Sequence, residues 1–358
     1  MKKCYFLLIS AIVVFSVNAQ ETPDSDSINF NIKIKIDSAF SQNKIPGIFI
    51  GVINNGKHTY SSKGYANTET KLLFDSATLF EIGSITKTFT AYILQKILTE
   101  NKIEDTASIL PYLPDSVRQN KALQNITFLS LMNHTSGLPR LPDNMPVNLS
   151  NKTPYDNYSS TNLFSYLKNC TPAPDGKSNY SNLGMGLAGV LAEIISKKSY
   201  SKLLDINIFR QFKMIASTDT FCNDGNKSLG YFDSSATPYW NMDVLAPAGG
   251  LKCTGKEMLT YLQYMAQPKG IDETSIISNI LTPTVALNSK INVCKAWHTF
   301  EVKNKPVIYW HNGGTYGFST FAAFIKDEQK AVIIVINQFN KNKITDGLGM
   351  FIMKLLTK

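Results

Sequence analysis

A serine and a lysine three residues apart, Ser84 and Lys87, stand in the segment LFEIGSITKTFTAYILQKIL. If this segment begins a helix, the two side chains lie on one face, one turn apart, and the amine can reach the hydroxyl. A serine is a weak nucleophile until a base takes its proton, and a lysine is such a base only where burial and nearby positive charge depress its pKa. A plain helix-capping role for Ser84 remains the alternative. The same spacing recurs at Ser41/Lys44, Ser165/Lys168 and Ser199/Lys202.

A second candidate element is Tyr180-Ser181-Asn182, which precedes the glycine- and alanine-rich segment LGMGLAGVL. A phenol beside an ammonium can relay a proton, and an amide can donate a hydrogen bond to a substrate carbonyl. A purely structural role also fits, because Tyr-x-Asn is not rare in this chain. It recurs at Tyr65/Asn67, Tyr155/Asn157 and Tyr239/Asn241.

The third candidate, His311-Asn312-Gly313-Gly314, ends the strand-like segment PVIYWHNG. Two glycines allow a substrate to approach the backbone closely. A histidine is neutral or positive near pH 7, so it could help to orient a carboxylate or transfer a proton. His-x-Gly occurs once in the chain. The alternative is a histidine that is simply packed within a strand.

Hydrophobic periodicity indicates the elements that position these residues. It predicts a first helix over 29–42 and a hairpin at Asn55-Gly56, two residue types that tolerate positive φ. The helix that carries Ser84 should bury one apolar stripe and turn Gln95 and Lys96 to solvent. The stripe consists of Phe89, Ile93, Ile97 and Leu98.

The middle of the chain, about 103–240, reads as helical pieces separated by loops rich in Pro, Asn and Ser, the longest of them at 140–158. A helix is expected after Thr254, then strands in PVIYWHNG, FSTFAAFIKD and KAVIIVINQ, with a polar hairpin break at 326–329. A closing helix should cover 348–356. Strands near both termini with helices between them predict an α/β (α+β) fold, in which one sheet is built from both ends and a helical region is inserted.

The first residues are typical of a secretory signal peptide. Lys2 and Lys3 precede an apolar run over 7–17, and Val17-Asn18-Ala19 forms a small-residue cleavage site. The run is too short for a stable bilayer anchor, so we expect cleavage after Ala19, a periplasmic or secreted product and no stable membrane insertion. A retained anchor is the alternative. The expected division is a signal peptide over 1–19 and a single domain over 20–358, with a sheet subdomain at about 28–100 and 245–358 and a helical subdomain at about 101–244.

Composition excludes some classes of partner. The formal net charge is +9, but Lys and Arg are scattered rather than clustered, so we expect no nucleic-acid partner. Past the signal peptide there are four cysteines, at positions 170, 222, 253 and 294. Export permits disulfides, and the three possible connectivities are not ranked by the sequence. The spacing is unlike that of a zinc site.

Taken together, Ser84-Ile-Thr-Lys87, Tyr180-Ser-Asn182 and His311-Asn-Gly313 resemble the three active-site elements of the penicillin-recognising serine hydrolases. The nearest branch is that of class C β-lactamases and related D-Ala-D-Ala carboxypeptidases, esterases and D-aminopeptidases. The resemblance runs from about residue 28 to the C-terminus, and it implies a β-lactamase/transpeptidase-like fold with an antiparallel sheet. Matching segments occur in family order: LFEIGSITKTFTA, LMNHTSGLPR, NYSNLGMGLAGVL, LAPAGGL and HNGGTYGFSTFAAFI.

The resemblance implies a role for each candidate residue. Ser84 would be the acylated nucleophile, Lys87 its proton partner, and Tyr180 the residue that shares the general-base duty and protonates the leaving group. The implied substrate-binding residues are Asn182, His311, Asn312, Gly313 and Gly314. The backbone N–H groups of Ser84 and Gly314 would form the oxyanion hole. No metal or organic cofactor is implied, and we expect a monomer, the common state in this family.

One departure bears on the substrate. Class C β-lactamases mostly carry Lys where this chain has His311 and Thr where it has Asn312. His-x-Gly occurs in D-Ala-D-Ala carboxypeptidases of the family and in several divergent hydrolases. We therefore expect an exported serine acyl-hydrolase that acts on small-molecule β-lactams or on D-alanyl peptides of peptidoglycan. An esterase on the same fold is the alternative, and a penicillin-binding sensor or inert homologue is a third.

Overall fold

The computed structural model describes residues 25–145, 153–220 and 225–357, so the expected signal peptide and Cys222 lie outside the described residues. Eleven α-helices are present in these ranges. They are α1 Ser25–Asn43, α2 Thr86–Glu100, α3 Asp115–Arg118, α4 Phe128–Met132, α5 Ser160–Asn169, α6 Asn182–Ser196, α7 Tyr200–Leu204, α8 Ala246–Gly249, α9 Gly255–Ala266, α10 Ile271–Leu281 and α11 Asn342–Leu356. Short 3₁₀ turns occupy Gly83–Ile85, Leu110–Tyr112, Lys121–Leu123 and Asp243–Leu245, and a π-helical turn, Asp205–Phe209, follows α7.

Nine of the thirteen strands in the described ranges form one sheet, in the order β3-β2-β1-β13-β12-β11-β10-β9-β8. All neighbouring pairs are antiparallel. The sheet strands are β1 Gly47–Asn54, β2 Lys57–Asn67, β3 Leu72–Leu73, β8 Val285–Ala286, β9 Ile291–Val293, β10 His298–Phe300, β11 Ile308–Gly314, β12 Ser319–Ile325 and β13 Lys330–Ile336. Two small pairs stand apart, β4 Leu79–Glu81 with β7 Lys252–Thr254 and β5 Gly230–Phe232 with β6 Ser235–Thr237. The predicted fold is confirmed, because strands from both ends of the chain pair directly, β1 with β13.

The central strands are apolar without alternation because helices cover both faces of the sheet. One cluster of buried side chains joins α1 and α11 to one face, and a larger cluster joins the other face to α2, α6 and α9. Every residue of β12 is buried, as are six of the seven in β13. The side chains of the run KAVIIVI therefore contribute to the hydrophobic layers on both faces of the sheet. Burial of apolar surface stabilises a fold by about 25 cal/mol per Å².

The predicted hairpins are present. Asn55 and Gly56 have φ angles of 48° and 77°, the positive values that a two-residue turn between twisted strands requires. The turn at 326–329 joins β12 to β13, with Asp327 at a φ of 64°.

The prediction that Gln95 and Lys96 face solvent is wrong for Gln95 and only partly right for Lys96. Gln95 is buried and accepts a hydrogen bond from Lys295 Nζ at 2.9 Å. Lys96 is largely covered and lies 3.0 Å from Glu273 in α10. The reason is that α6, α8 and α10 all pack against α2, so this helix has no broad solvent face. A local sequence pattern does not indicate how many neighbours a helix has.

The described residues include three buried cysteines, Cys170, Cys253 and Cys294, all with free thiols. Within the described ranges, no helix is long and apolar enough to cross a bilayer.

Candidate active site

Ser84 lies in the 3₁₀ turn that leads directly into α2, and Lys87 lies in the first turn of α2. Lys87 Nζ is 3.0 Å from Ser84 Oγ and donates a hydrogen bond to the Ala248 carbonyl at 2.5 Å. The spacing of three residues therefore places the amine within hydrogen-bond distance of the hydroxyl, as predicted. Ala248 belongs to α8, so the lysine is held by an element 161 residues further along the chain.

Lys87 is fully buried, and burial lowers the pKa of its amine well below the usual value, with the positive charge of Arg140 acting in the same direction. The N-terminal end of α2 adds partial positive charge nearby. No carboxylate in the described ranges pairs with this amine. A lowered pKa favours the neutral amine, which is the form that can accept the Ser84 proton.

Tyr180 lies just before α6, and its ring centroid is 4.7 Å from Lys87 Nζ. Burial raises the pKa of the Tyr180 phenol, and a hydrogen bond with Ser84 and the charge of Arg140 only partly oppose this. The phenol therefore stays protonated near neutral pH. In this state it can donate a proton to a leaving group. Of the two roles implied for Tyr180, general base and leaving-group acid, the raised pKa favours the acid.

Asn182 is the first residue of α6, is buried, and lines a cavity that Ser84 also lines. Its Nδ2 donates to the Tyr155 hydroxyl at 3.2 Å, while its Oδ1 is buried without a partner among the described residues. An unpaired buried carbonyl oxygen is costly, so it is a ready acceptor for a substrate N–H.

Ser84 opens onto a cavity of about 310 Å³. Its lining residues are Ser84, Arg140, Leu141, Pro154, Tyr155, Asn182, Trp240, Met242, Ala248, Gly249, Gly314, Thr315, Tyr316 and Phe339. The predicted loop at 140–158 thus reaches the site from both of its described ends. The volume suits a small molecule, and most of the lining is aromatic or aliphatic.

The glycines after His311 allow the end of β11 to lie against the backbone of the turn that carries Ser84. A side chain at Gly313 would overlap the carbonyl of Ile82, and a Cβ at Gly83 would lie 2.7 Å from the backbone nitrogen of Gly314. Gly83 also has a φ of 53°, which favours glycine. The end of β11 can therefore lie against the turn that carries Ser84, and this brings together the two residues whose N–H groups were predicted to form the oxyanion hole.

His311 is buried and is not among the residues that line the cavity. Its ring centroid is 6.4 Å from that of Tyr180, and its Nδ1 lies 2.5 Å from the Asn312 carbonyl, so this nitrogen carries the proton. Burial, followed by the charges of His298 and Lys87, lowers the pKa of His311 well below its usual value. It therefore stays neutral at physiological pH and supplies no fixed charge for a carboxylate.

The Asn312 side chain lies on the opposite side of the sheet from the cavity. Its Nδ2 donates to Asp346 Oδ2 in α11 at 2.8 Å. Successive residues of a strand face opposite sides, so His311 and Asn312 cannot both face the nucleophile. The substrate-binding role predicted for Asn312 stays a prediction, and its side chain is engaged with Asp346 rather than with the cavity.

Three residues near the site received no role from the sequence. The His134 ring centroid lies 4.6 Å from that of Tyr180, and its Nδ1 accepts the Ser181 N–H at 3.3 Å, which fixes the chain beside the phenol. Glu81 accepts from Thr315 Oγ1 at 2.7 Å and from the Trp240 N–H at 2.5 Å, so it holds two cavity walls together. Arg140 lines the cavity itself. His134 and Arg140 stand in LMNHTSGLPR, a segment whose likeness to the family was the available signal.

In the ranges 25–145, 153–220 and 225–357, no three His, Cys, Asp or Glu side chains are grouped to hold a metal ion. What the site offers is a serine beside a buried lysine whose pKa is lowered and a tyrosine whose pKa is raised, below a cavity bordered by two backbone amides. This arrangement defines the class of serine enzymes that transfer acyl groups.

Comparison with known proteins agrees with this class. The family model described as beta-lactamase matches residues 34–356, and the chain belongs to this family and is a serine hydrolase. It is 25% identical over 374 residues to a beta-lactamase of Escherichia coli (strain K12), covering 94% of this chain and 93% of that protein. It is 24% identical over 372 residues to a beta-lactamase of Providencia stuartii, covering 93% and 90%.

Two solved structures show the same fold. The beta-lactamase/D-alanine carboxypeptidase from Pseudomonas syringae aligns with a TM-score of 0.80 at 20% identity, covering 92% of this chain and 99% of that one. The class C beta-lactamase from Rhodobacter sphaeroides aligns with a TM-score of 0.78 at 21% identity, covering 90% and 99%.

Proposed function

We propose that the protein hydrolyses the amide bond of a β-lactam or of a D-alanyl peptide through an acyl-enzyme on Ser84. The observation that carries this proposal is the buried Lys87 amine 3.0 Å from Ser84 Oγ, at the base of an open cavity. Support for the substrate class comes from the names of the relatives, which are beta-lactamases and a beta-lactamase/D-alanine carboxypeptidase.

Acylation uses groups that already lie in place. The Ser84 hydroxyl gives its proton to Lys87 as Oγ attacks the substrate carbonyl, and the N–H groups of Ser84 and Gly314 stabilise the oxyanion. In other enzymes one such donor contributes about 2.7–4 kcal/mol to lowering the barrier. The C–N bond then breaks, the Tyr180 phenol protonates the departing nitrogen, and the Lys87 ammonium returns a proton to the phenolate.

Deacylation reverses these roles. A water molecule gives a proton to neutral Lys87 as its oxygen attacks the acyl-enzyme carbonyl. The second oxyanion collapses, the bond to Ser84 Oγ breaks, and the serine recovers its proton from Lys87. The free enzyme is restored and the acid is released.

Esterase activity is the second candidate, and the neutral state of His311 favours it. An ester needs no fixed ammonium at this position, whereas the carboxylate of a β-lactam or a terminal D-alanine gains from one. Burial holds the pKa of His311 down. The aromatic lining by Tyr155, Trp240 and Tyr316 also suits apolar acyl groups.

Mass spectrometry of the protein mixed with a fluorescent penicillin, sampled from seconds to hours, tests the proposal. A covalent adduct on Ser84 that disappears as product accumulates is the expected result. Ser84→Ala should abolish both the adduct and turnover, while a variant that still turns over at the wild-type rate would overturn the proposal. An adduct that persists indicates a peptidase or sensor that penicillin traps. Higher kcat/KM for short acyl esters than for β-lactams, without any penicillin adduct, selects the esterase.

We also propose that the protein is exported to the periplasm or secreted after cleavage behind Ala19, and that it is a monomer. The charged start, apolar run and small-residue site support export. The N-terminal sequence and cell fraction of protein expressed with its own leader test the first point. Light scattering on the purified protein tests the second.

A further inference from the structure

Arg140 is held at the mouth of the site by both its backbone and its side chain. Its carbonyl accepts the N–H groups of Asn182 at 3.0 Å and Leu183 at 3.3 Å, in the first turn of α6. Its guanidinium carbon lies 5.2 Å from the centroid of the Tyr180 ring. The side chain is exposed and lines the cavity together with Ser84. The charge thus lies beside Asn182, whose unpaired Oδ1 would accept the side-chain amide N–H on the acyl side of a β-lactam.

No acidic side chain of the described ranges forms an ion pair with Arg140, so its charge is available to a ligand. The other basic groups near the serine are less available as cations. Lys87, His134 and His311 are buried, and burial is the main cause that lowers the pKa of each. A guanidinium stays protonated across the physiological range and can bind a carboxylate through two parallel hydrogen bonds.

The aromatic part of the cavity lining carries no such charge. The Trp240 ring lies 5.0 Å from that of Tyr155 and 5.1 Å from that of Tyr316, centroid to centroid, so the three rings form a continuous aromatic surface. An acyl group that carries an acid would therefore have one site of electrostatic complementarity in the described lining, at Arg140.

We propose that Arg140 determines specificity by binding a carboxylate on the acyl side of the substrate, next to the carbonyl that Ser84 attacks. The inference rests on the proposed acyl-enzyme chemistry and adds the chemical class of the acyl group to it. It also explains how a site with a neutral His311 attracts an anionic substrate, since the cation lies on the Asn182 side rather than at the end of β11.

Three nitrophenyl-type esters test the position of the recognised charge. They are 4-nitrophenyl hydrogen succinate, with a carboxylate on the acyl side; 4-nitrophenyl butyrate, which is neutral; and the butyrate ester of 4-hydroxy-3-nitrobenzoate, with the carboxylate on the leaving group. The wild type should prefer the succinate over the butyrate by about 10–100-fold in kcat/KM, a typical effect of a paired carboxylate. Arg140→Gln should reduce this preference to within about threefold, and Arg140→Lys should retain an intermediate preference.

Ratios between substrates separate recognition from other effects. A change in the charge state of Lys87 alters kcat/KM for all three esters by the same factor, and this factor cancels in the ratio between two substrates. Arg118→Gln is the control, because Arg118 pairs with Asp115 on α3, away from the cavity, and should leave the ratios unchanged. A wild-type enzyme without preference for the succinate, or equal losses on all three esters in Arg140→Gln, would overturn the inference while leaving the Ser84 chemistry intact. Ester hydrolysis that persists in Ser84→Ala would instead contradict the proposed function.

Discussion

Two buried lysines contact the same helix, and their surroundings give them different chemistry. Lys87, near the start of α2, contacts a hydroxyl and a backbone carbonyl. Lys295 contacts Gln95 further along α2 and forms an ion pair with Asp105. Burial lowers the pKa of both amines, but Asp105 opposes this for Lys295, whereas Arg140 reinforces it for Lys87. The difference shows that burial alone does not turn a lysine into a base. The amine must also lack a carboxylate partner that would stabilise its charged form.

The third buried lysine supports this view. Lys252 donates hydrogen bonds to the carbonyls of Trp240 and Gly250, and the charges of Glu81 and Asp219 oppose the effect of burial on its pKa. Lys252 and Lys295 therefore both have acidic neighbours, and both connect segments that are distant in sequence. Lys87 has none in the described ranges, and it is the one of the three in contact with a serine hydroxyl.

The largest expected effect is the loss of activity in Lys87→Met. Removing a positioned general base lowers rates by about 10²–10⁴-fold, and kcat/KM on any Ser84-dependent substrate should fall by this amount. Steady-state kinetics with the same substrate before and after the substitution measure it. Lys295→Met should retain kcat/KM within about threefold for the molecules that fold, and an equal loss in both variants would remove the distinction between the two lysines.

Stability should change in opposite directions in the same two variants. The pKa of Lys87 is lower in the folded than in the unfolded chain. Below the usual pKa of a lysine, the unfolded chain therefore binds more protons than the folded chain. The free energy of unfolding decreases in that range as pH falls. Lys87→Met removes this cost and should raise Tm at pH 7 by on the order of a few °C. Lys295→Met leaves Asp105 without its partner and should destabilise the fold by about 3–5 kcal/mol.

Urea denaturation and calorimetry at pH 7 measure both changes. Asp105→Asn is the matched control, since it leaves the Lys295 ammonium unpaired and should also destabilise the fold. A lower Tm in Lys87→Met, comparable to that of Lys295→Met, would contradict the view that Lys87 is kept for chemistry at the expense of stability.

The acid limb of the pH profile gives the next, smaller effect. Activity is lost as pH falls through the pKa of Lys87, because protonation removes the base. Arg140 lowers this pKa, so Arg140→Gln should raise it and move the acid limb of kcat/KM to higher pH. The other groups facing the amine are Ser84, Tyr180, His134 and His311, of which the two histidines have lowered pKa values and the phenol a raised one. Profiles with the neutral butyrate ester check this shift, and an acid limb that stays in place in Arg140→Gln would show that Arg140 does not tune the base.

The comparison of Lys87 with Lys295 also shows which features of the site can be predicted from the sequence. The contact between Ser84 and Lys87 could be predicted because helix geometry alone places residues three apart on one face. The lowered pKa of Lys87 could not be predicted, because it depends on burial and on the charge of Arg140, which only tertiary packing brings near. The burial of Gln95 was missed for the same reason, since its partner Lys295 lies 200 residues away in the chain.

The residues of the third motif were all predicted to bind substrate, and strand alternation places the side chains of His311 and Asn312 on opposite faces of the sheet. The sequence already places His311 and Asn312 at successive positions of a strand, which must face opposite sides of a sheet. Family likeness favoured a substrate role for both residues. It is the structure that shows Asp346 of α11 as the partner of Asn312.

The smallest expected effect follows from this division. Asn312→Ala removes a hydrogen bond to the Asp346 carboxylate and should destabilise the fold by about 1–2 kcal/mol, while kcat/KM stays within about threefold of wild type. Asn182→Ala is the matched change on the cavity side and should lower kcat/KM by tenfold or more, because the buried amide beside Ser84 is lost. Urea denaturation and kinetics on one substrate compare the two variants. A large kinetic loss in Asn312→Ala without a loss of stability would place its side chain in the substrate site after all, and the motif would then act as a unit.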